Sequence, residues 1–253
     1  DRFHQYWTTY WEKMCRRGIS KEMARVEMRR RLTLIGSTMV HLGDADGMIC
    51  GTIGSYHNHL RYIDEMIGRK PGSSVYAAMN ILLLGERTVA LTDTHVNDDP
   101  NAQEIAEYTI EAARMLSTLS LEPKVALLSR SNFGTDSATS GPKMREALRL
   151  IQEQAPDLEV DGEMHADCAL DESLRNRTLP NSSLKGSANL LVCPNVDAGN
   201  ISYNLLKTAA GSNVAIGPFL MGANAPLHIL TYSSTVRRII NMTALTVLQA
   251  NRS

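Results

Sequence analysis

Short runs of consecutive apolar residues, each closed by a turn and followed by a helical pattern, constrain the fold of this chain more than any other feature. Leu190–Cys193 and Val214–Ile216 are two such runs, and each ends among glycine, proline or asparagine residues. A helix from Asn200 to about Ala210 is predicted between them. Continuous apolar strands that alternate with helices are typical of a parallel sheet covered by helices on both faces. The sequence therefore predicts an α/β protein.

The same patterns continue along the chain. Apolar residues at helical spacing predict amphipathic helices over residues 2–17, about 21–31 and about 33–42. Two further helices are predicted to begin at Gly54–Ser55 and at Asp99–Pro100, and a last one covers about 235–250. The other predicted strands are Met48–Ile53, Ala78–Leu84, Thr88–Thr92, Lys124–Ser129 and Leu158–Val160.

Charge and cysteine content exclude several classes of function. The formal net charge of −1 gives no indication of nucleic acid or a membrane surface as partner. No apolar run approaches the roughly 20 residues of a membrane span, and no signal peptide is visible. The four cysteines form no C-x-x-C pair and are expected to be reduced core thiols of a cytoplasmic protein; they are Cys15, Cys50, Cys168 and Cys193.

Two acidic stretches that contain a histidine raise the alternative of a metal site. The candidate ligands are Glu163, His165 and Asp167 in DGEMHAD, and His95, Asp98 and Asp99 in THVNDDP. A strand end that becomes a helix cap explains the first stretch, and helix capping by Asp99 ahead of Pro100 explains much of the second. No metal site is therefore predicted.

Positive charge is concentrated near the amino end, where eight lysines and arginines lie between Lys13 and Arg31. Such a run is typical of a solvated helix face. The alternative is a rim that holds the phosphates of a ligand, because guanidinium groups match phosphate oxygens in pairs.

A pocket for phosphate is indicated after the predicted strand Met48–Ile53. His57, His59 and Arg61 lie near the start of the following helix, where free N–H groups and the helix dipole attract anions. The loop Ser131–Gly134 also follows a strand and is a plausible second wall of the same crevice. An ordinary surface face remains the alternative for the helix start.

Several motifs of this chain resemble the phosphate acetyl/butyryltransferase family. They include ADGMICGTIGSYHNHLR, KVALLSRSNFG, APDLEVDGEMHADCAL, SSLKGSANLLVCPNVDAGNISYN and AIGPFLMGANAPLHIL, and they span nearly the whole chain in order. The forms SNFG, DGEMHAD and SSLKGS are most similar to the carboxyl-terminal transferase-like region of the large bacterial NADP-dependent malic enzymes.

The resemblance implies a two-lobed α/β fold of the isocitrate/isopropylmalate dehydrogenase-like type, with parallel sheets covered by helices and the active site in the cleft between the lobes. One lobe would comprise 1–71 plus 224–253, and the other 72–223. The family domain begins upstream with a strand and a helix that this chain lacks. The chain is therefore expected to be part of a longer polypeptide.

In active members of the family, the thiol of coenzyme A attacks the carbonyl carbon of acetyl phosphate, and an aspartate is the base. One of the two family arginines that hold the ligand carries over to Arg61, whereas the other falls at Met14. The Ser-Arg pair of the family falls on Thr231 and Tyr232. The family aspartate falls on Arg238, which has only donors and cannot accept the proton. A lysine that is common in the family falls on Phe133.

The resemblance with these departures predicts no catalytic residues, because the family positions are replaced at Met14, Thr231, Tyr232 and Arg238. It implies a domain that binds acetyl-CoA or a related acyl-CoA as an effector and forms a homo-oligomer. NADP and a divalent metal are expected only in a malic-enzyme region outside this chain. The predicted acyl-CoA-binding residues are Ser55, His57, Arg61, Ser131, Asn132, Phe133, Asn200, Thr231 and Tyr232. The alternatives are an active acyltransferase and a purely structural dimerisation lobe.

Overall fold

A computed structural model of the protein describes residues 1–137, 140–211 and 214–251. The chain divides into two compact units. The terminal unit is built from both ends of the chain, Asp1–Gly72 with Ala223–Ser253, and the central unit is Ser73–Gly222.

The terminal unit holds a two-stranded parallel sheet and five α-helices within the described residues. Its strands are β1 (Met48–Gly51) and β8 (Leu227–Leu230), with Met48 opposite Leu227 and Gly51 opposite Leu230. Its helices are α1 (Arg2–Met14), α2 (Lys21–Arg30), α3 (Leu32–His41), α4 (Tyr56–Met66) and α10 (Val236–Ala250). A short 3-10 helix, Cys15–Arg17, follows α1 directly, so the first predicted helix is observed over nearly its full range.

The central unit contains a six-stranded sheet with the order β5-β4-β6-β3-β2-β7. The strands are β2 (Ala77–Leu84), β3 (Arg87–Thr92), β4 (Lys124–Leu128), β5 (Glu159–Met164), β6 (Leu190–Val192) and β7 (Ala215–Met221). The helices are α5 (Ala102–Thr118), α6 (Ser140–Gln154), α7 (Ala166–Leu170), α8 (Glu172–Thr178) and α9 (Val196–Ala210). The parallel pairs β3–β6, β4–β6 and β4–β5 confirm the predicted α/β class.

One strand departs from the predicted parallel arrangement. β2 runs antiparallel to both of its neighbours, β3 and β7. Only the turn at residues 85–86 separates β2 from β3. A parallel partner would need a crossover connection of a dozen or more residues, which this turn cannot supply.

Two helix starts differ from the sequence prediction because side-chain caps decide them. Helix α5 starts at Ala102 rather than at Asp99–Pro100, since Asn101 and Glu104 form a reciprocal capping box. Helix α9 starts at Val196 rather than at Asn200, because Asn195 accepts a hydrogen bond from the backbone N–H of Ala198. Strand β5 continues to Met164, well past the predicted end at Val160.

Each unit has its own apolar core. In the terminal unit, buried residues of α1 and α2 pack with Leu34, Tyr62 and Met66. In the central unit, residues of β2, β3, β4 and β6 pack with α7 and with Tyr203 of α9. The helices therefore bury the stripes that the apolar periodicity indicates.

All four cysteines are free thiols. Cys168 and Cys193 are buried and Cys50 is partly buried, whereas Cys15 is exposed and is not the core residue that was expected. Within the described ranges, no helix is long and apolar enough to cross a membrane.

His228 in β8 makes the stability of the protein depend on pH. Its side chain is buried, and its Nε2–H donates to Oε1 of Gln249 at 2.7 Å. Burial lowers the pKa of His228 to about 4 against the opposing effect of this hydrogen bond. Because the unfolded chain has a histidine pKa of about 6.5, it binds more protons than the folded chain between these values. Stability contributed by the neutral side chain is therefore lost as the pH falls through this range.

We expect His228 to contribute about 2–3 kcal/mol to the decrease in the wild-type free energy of unfolding between pH 7 and pH 4.5. The variant His228→Gln should lack that part of the drop. Urea unfolding of both proteins at the two pH values measures the difference, and equal drops would contradict the assignment.

Candidate functional site

The segment after β1 leaves the sheet through a tight turn. Gly51, Thr52 and Gly54 have φ values of 101°, 67° and 98°. A Cβ atom on Gly51 would lie 2.1 Å from the carbonyl oxygen of Leu230, so only glycine fits against β8 at this point. The turn delivers the chain to Ser55, whose Oγ accepts a hydrogen bond from the N–H of Asn58 and caps α4.

The two histidines at the start of α4 have different roles. His59 holds the turn, because its Nε2 lies 2.8 Å from the carbonyl oxygen of Ile53 and its Nδ1 lies 2.6 Å from Oγ1 of Thr33. The carbonyl accepts only, so Nε2 carries the proton and the Thr33 hydroxyl donates to Nδ1 in the neutral ring. His57 is exposed at the first turn of the helix. Of the two, His57 is the more exposed to solvent.

Arg61 lies one turn further along α4 and is partly fixed. Its guanidinium carbon is 4.5 Å from the ring centroid of Tyr62, and its Nε is 3.9 Å from Oε1 of Glu65. Tyr10 of α1 donates its hydroxyl to Oε2 of Glu65 at 3.0 Å. Arg61 lines a pocket of about 480 Å³ formed by residues of α1, α2 and α4 and the segments beside α2. Arg61, which the sequence indicated as a phosphate-binding cation near this helix start, therefore lines a pocket in the structure.

The carboxyl end of β8 presents hydroxyl groups. Tyr232 is 91% exposed, and the N–H of Thr231 donates to Oγ of Ser234 at 3.2 Å. Thr235 then caps α10 by accepting from the N–H of Arg238. This turn holds no arginine and no carboxylate.

Positions 14 and 238 are occupied by buried side chains. Met14 is 5% exposed and packs in the aromatic core of the terminal unit. Arg238 is 2% exposed in the first turn of α10. The sequence has no aspartate or glutamate between residues 198 and 253, so none lies in β8, in the turn after it or in α10. These three segments therefore offer no carboxylate side chain that could take up a proton.

In the central unit, the loop after β4 is built around Glu163 of β5. Its Oε1 accepts hydrogen bonds from Oγ of Ser131 at 2.7 Å, the N–H of Gly134 at 2.8 Å and Nη1 of Arg145 at 2.8 Å. Glu163 is fully buried and Ser131 is 1% exposed. Ser131, predicted to contact a ligand, thus uses its hydroxyl inside the protein.

The neighbouring loop residues are held in the same way. Oδ1 of Asn132 accepts a hydrogen bond from the N–H of His165 at 2.8 Å. The N–H of Phe133 donates to the carbonyl oxygen of Glu163 at 2.9 Å, and the Phe133 ring packs against the core of the central unit. The loop that the sequence assigned to a ligand wall is therefore shaped by β5, and direct ligand contact by these side chains stays a prediction.

Several residues of the two rejected metal alternatives have other partners. Nε2 of His165 lies 2.8 Å from the carbonyl oxygen of Arg130, and Asp167 accepts from the N–H of Cys168. The predicted capping of α5 by Asp99 is wrong. Asp99 instead pairs with Lys143 of α6. Among the residues that the structure describes, no group of three or more histidines, cysteines or acidic residues could hold a metal ion.

Asn200 was predicted at a helix start, but it lies in the second turn of α9. Its Nδ2 donates to the carbonyl oxygen of Thr94 at 3.0 Å. The side chain therefore ties α9 to the segment after β3. Asn195 is the N-cap of α9, and its position in the turn PNVD was the sequence signal that could have identified this helix start.

Asp93, which immediately follows β3, was missed by sequence analysis. It is 1% exposed and accepts five hydrogen bonds, from the N–H groups of Ala78, His95, Val96 and Asn97 and from Nδ2 of Asn97. Burial raises the pKa of Asp93, and these donors counter that rise by stabilising the carboxylate. The polar run DTHVN after an apolar strand was the signal that could have identified it.

Part of the basic run near the amino end forms helix–helix contacts. Three cations of α2 or its start stack on three aromatic rings of α1 at centroid distances of 4.5, 4.3 and 5.1 Å. The pairs are Lys21 on Trp11, Arg25 on Trp7 and Arg29 on Phe3. Both series repeat every four residues, so the two helices run in opposite directions along a ladder of cation–π contacts. This accounts for three of the eight charges.

Comparison with known proteins identifies the family that this chain matches. Residues 1–247 match the family described as phosphate acetyl/butaryl transferase. The chain is 49% identical over 249 residues to the NADP-dependent malic enzyme of Escherichia coli, covering 98% of this chain and 33% of that protein. It is 36% identical to a phosphate acetyltransferase of Nitratidesulfovibrio vulgaris, covering 98% of this chain and 35% of that protein. The chain therefore spans about a third of the length of the first curated relatives that it matches.

Among solved structures, a phosphotransacetylase from Streptococcus pyogenes is similar, with a TM-score of 0.89 and 31% sequence identity. The match covers 99% of this chain and 76% of that one. This agreement over nearly all residues confirms the fold that the sequence resemblance implied.

The cation–π ladder generates a prediction about stability. Arg25→Ala should lower the free energy of unfolding by about 0.5–1 kcal/mol, because the variant loses the contact with Trp7. Arg30→Ala, on the same helix with an exposed side chain, should change it by no more than about 0.5 kcal/mol. Urea unfolding followed by tryptophan fluorescence compares the two variants, and equal effects would show that the stacking contributes nothing.

Proposed function

The chain belongs to the phosphate acetyl/butaryl transferase family, and we propose that it is the transferase-like domain of a malic enzyme, binding acetyl-CoA as an effector without transferring its acyl group. The intact protein would oxidise and decarboxylate malate with NADP and a divalent metal, both bound in a region that this chain does not include. The acyl-CoA domain would then report the level of acetyl-CoA to that region.

The proposal that transfer is lost depends on one observation, the chemistry of the segment after β8. By the family resemblance, Thr231, Tyr232 and the buried Arg238 fall where the family pattern has a serine, an arginine and an aspartate. A guanidinium stays protonated and cannot act as the base that activates a thiol. Loss of a general base typically lowers the rate about 10²–10⁴-fold.

Retained ligand binding is supported by the residues around the start of α4. Arg61 has the position of one family arginine and offers charge-assisted hydrogen bonds to a phosphate. Ser55 and His57 lie at the helix start beside it, and the exposed Tyr232 could stack on a planar group such as adenine. These are the residues of the terminal unit that we propose to contact an acyl-CoA.

A regulatory domain must also communicate, and we propose that it does so within a homo-oligomer. Large apolar side chains are exposed on α9 and on α10, among them Ile201, Leu205, Val236, Ile240 and Val247. Exposed apolar groups along one helix are typical of surfaces that bury against another protein. Allosteric control would then appear as a coupling free energy between acetyl-CoA and malate binding.

We expect acetyl-CoA to bind this chain in isothermal titration calorimetry. Arg61→Ala should weaken binding by about tenfold or more, because one or two charge-assisted hydrogen bonds to phosphate are lost. Arg30→Ala is the matched control. It should bind as the wild type does, because Arg30 is exposed and is not part of α4. Absence of heat at millimolar acetyl-CoA would overturn the sensing role and favour a purely structural domain.

An active transferase is the second candidate, because the chain is 36% identical to a protein named phosphate acetyltransferase. The test is the formation of acetyl-CoA from acetyl phosphate and coenzyme A by the purified chain. We expect a rate at least about 10²-fold below that of a family enzyme assayed in parallel, given the lost base. Turnover within about tenfold of that enzyme would establish transferase activity and refute the non-catalytic proposal.

A further inference from the structure

The pocket beside Arg61 contains a second arginine. Arg31, which follows α2 directly, lines the same cavity of about 480 Å³. This volume lies within the range of sites for small molecules and cofactors. Met23 and Val26, both about half-exposed on α2, form an apolar wall beside the two guanidinium groups. The pocket thus combines two cations with an apolar surface.

Both arginines are held by the same arrangement of three residues. Nε of Arg31 lies 3.3 Å from Oε2 of Glu27, and the same oxygen accepts the hydroxyl of Tyr62. Nε of Arg61 faces Glu65, which accepts the hydroxyl of Tyr10.

The tyrosines are fixed as donors in these two triads. Burial, together with the neighbouring glutamates, raises the pKa of Tyr62 to about 12 and raises that of Tyr10 further. Both hydroxyls are therefore protonated at neutral pH and donate to their glutamates. Each glutamate is in turn held in place to orient one guanidinium.

The outer edges of both guanidinium groups remain available. In each arginine, the contact with glutamate is made by Nε. Across residues 1–137, 140–211 and 214–251, the two Nη groups of Arg31 and of Arg61 make no hydrogen bond to a protein atom. The planar edge formed by two Nη groups is suited to bidentate binding of phosphate. Two such edges on one pocket match a phosphate ester with an apolar portion.

We propose that Arg31 and Arg61 together form the phosphate subsite of the acyl-CoA ligand, a step that rests on the proposed function. Arg31 supplies the second cation that position 14 no longer provides, because Met14 is buried in the aromatic core. The apolar wall at Met23 and Val26 takes the less polar part of the ligand that adjoins the phosphate. In this proposal, the second cation of the pair comes from Arg31 at the end of α2 and no longer from position 14 in α1.

Carboxylates near the pocket modulate its charge. Glu27 and Glu65 are each engaged by an arginine and a tyrosine. Glu22 lines the pocket from the first turn of α2 and has no ion pair among the described residues. Its negative charge opposes an incoming phosphate, so removing that charge should strengthen binding.

The test measures the dissociation constants of acetyl-CoA and of adenosine 3′,5′-bisphosphate, which has phosphates but no thioester arm. We expect Arg31→Ala and Arg61→Ala each to weaken binding of both probes by about tenfold, and Arg31→Lys to give an intermediate loss. Glu22→Gln should tighten binding about twofold by removing a nearby like charge. Arg30→Ala, adjacent in sequence to Arg31, is the matched control. Circular dichroism and melting temperature show that each variant is folded, and Arg31→Lys serves if the alanine variant is not.

The outcomes separate this inference from the proposed function. Acetyl-CoA binding that is lost in Arg61→Ala but unchanged in Arg31→Ala and Arg31→Lys overturns the subsite and leaves the proposed function standing. Arg31-dependent binding of the bisphosphate without binding of acetyl-CoA supports the subsite and overturns the proposed function. Wild-type protein that binds neither probe overturns both.

Discussion

Buried carboxylates that gather several donors determine how the strands of this protein end. Asp93 is the clearest case, because its two oxygens accept five hydrogen bonds, four from residues 95–97 after β3 and one from Ala78 of β2. A carboxylate at 1% exposure is tolerated only when its lone pairs are satisfied, so the surrounding backbone must keep these N–H groups in place. Glu163 gathers three donors on its Oε1, two of them from the loop after β4, while its buried Oε2 accepts no hydrogen bond from the described residues. Glu107 binds both Ser73 and Ser74, and although burial opposes it, the hydrogen bonds from these serines lower the pKa of Glu107.

This use of carboxylates changes the role of several predicted ligand contacts. Ser131 and Asn132 carry the polar groups that a phosphate site would use, yet Ser131 donates to Glu163 and Asn132 accepts from the backbone of His165. Asn200 similarly ties α9 to Thr94. In the central unit, polar side chains at strand ends therefore position loops. In the terminal unit, the same chemistry leaves the guanidinium edges of Arg31 and Arg61 facing a pocket.

The exchange of charge after β8 has consequences for the proposed function. The family resemblance implies an aspartate as base, and the position that it implies is taken in this chain by the buried Arg238, with no acidic residue between residues 198 and 253. Such a change removes a proton acceptor but does not remove cations that bind phosphate. Binding without transfer is the simplest function that keeps the arginines and dispenses with the base, and it fits a domain similar to part of a longer malic enzyme.

Local sequence patterns determined most of the secondary structure of this protein. The apolar runs and helical stripes predicted the α/β class and the succession of strands and helices, because periodicity and turn residues act over a few neighbours. The family motifs identified the fold, since they extend through nearly the whole chain. Capping shifted the starts of α5 and α9 because the choice among adjacent Asn and Asp residues depends on which side chain meets a free N–H.

Tertiary structure alone decided which distant residues meet. The sequence could not indicate that Arg31 and Arg61 line one pocket, or that Lys21, Arg25 and Arg29 stack on the rings of α1. It also could not distinguish the buried hydroxyl of Ser131 from the exposed one of Tyr232. Burial and partner choice depend on packing between elements that are far apart in the chain. A local pattern records which groups are present but not which of them the fold brings together.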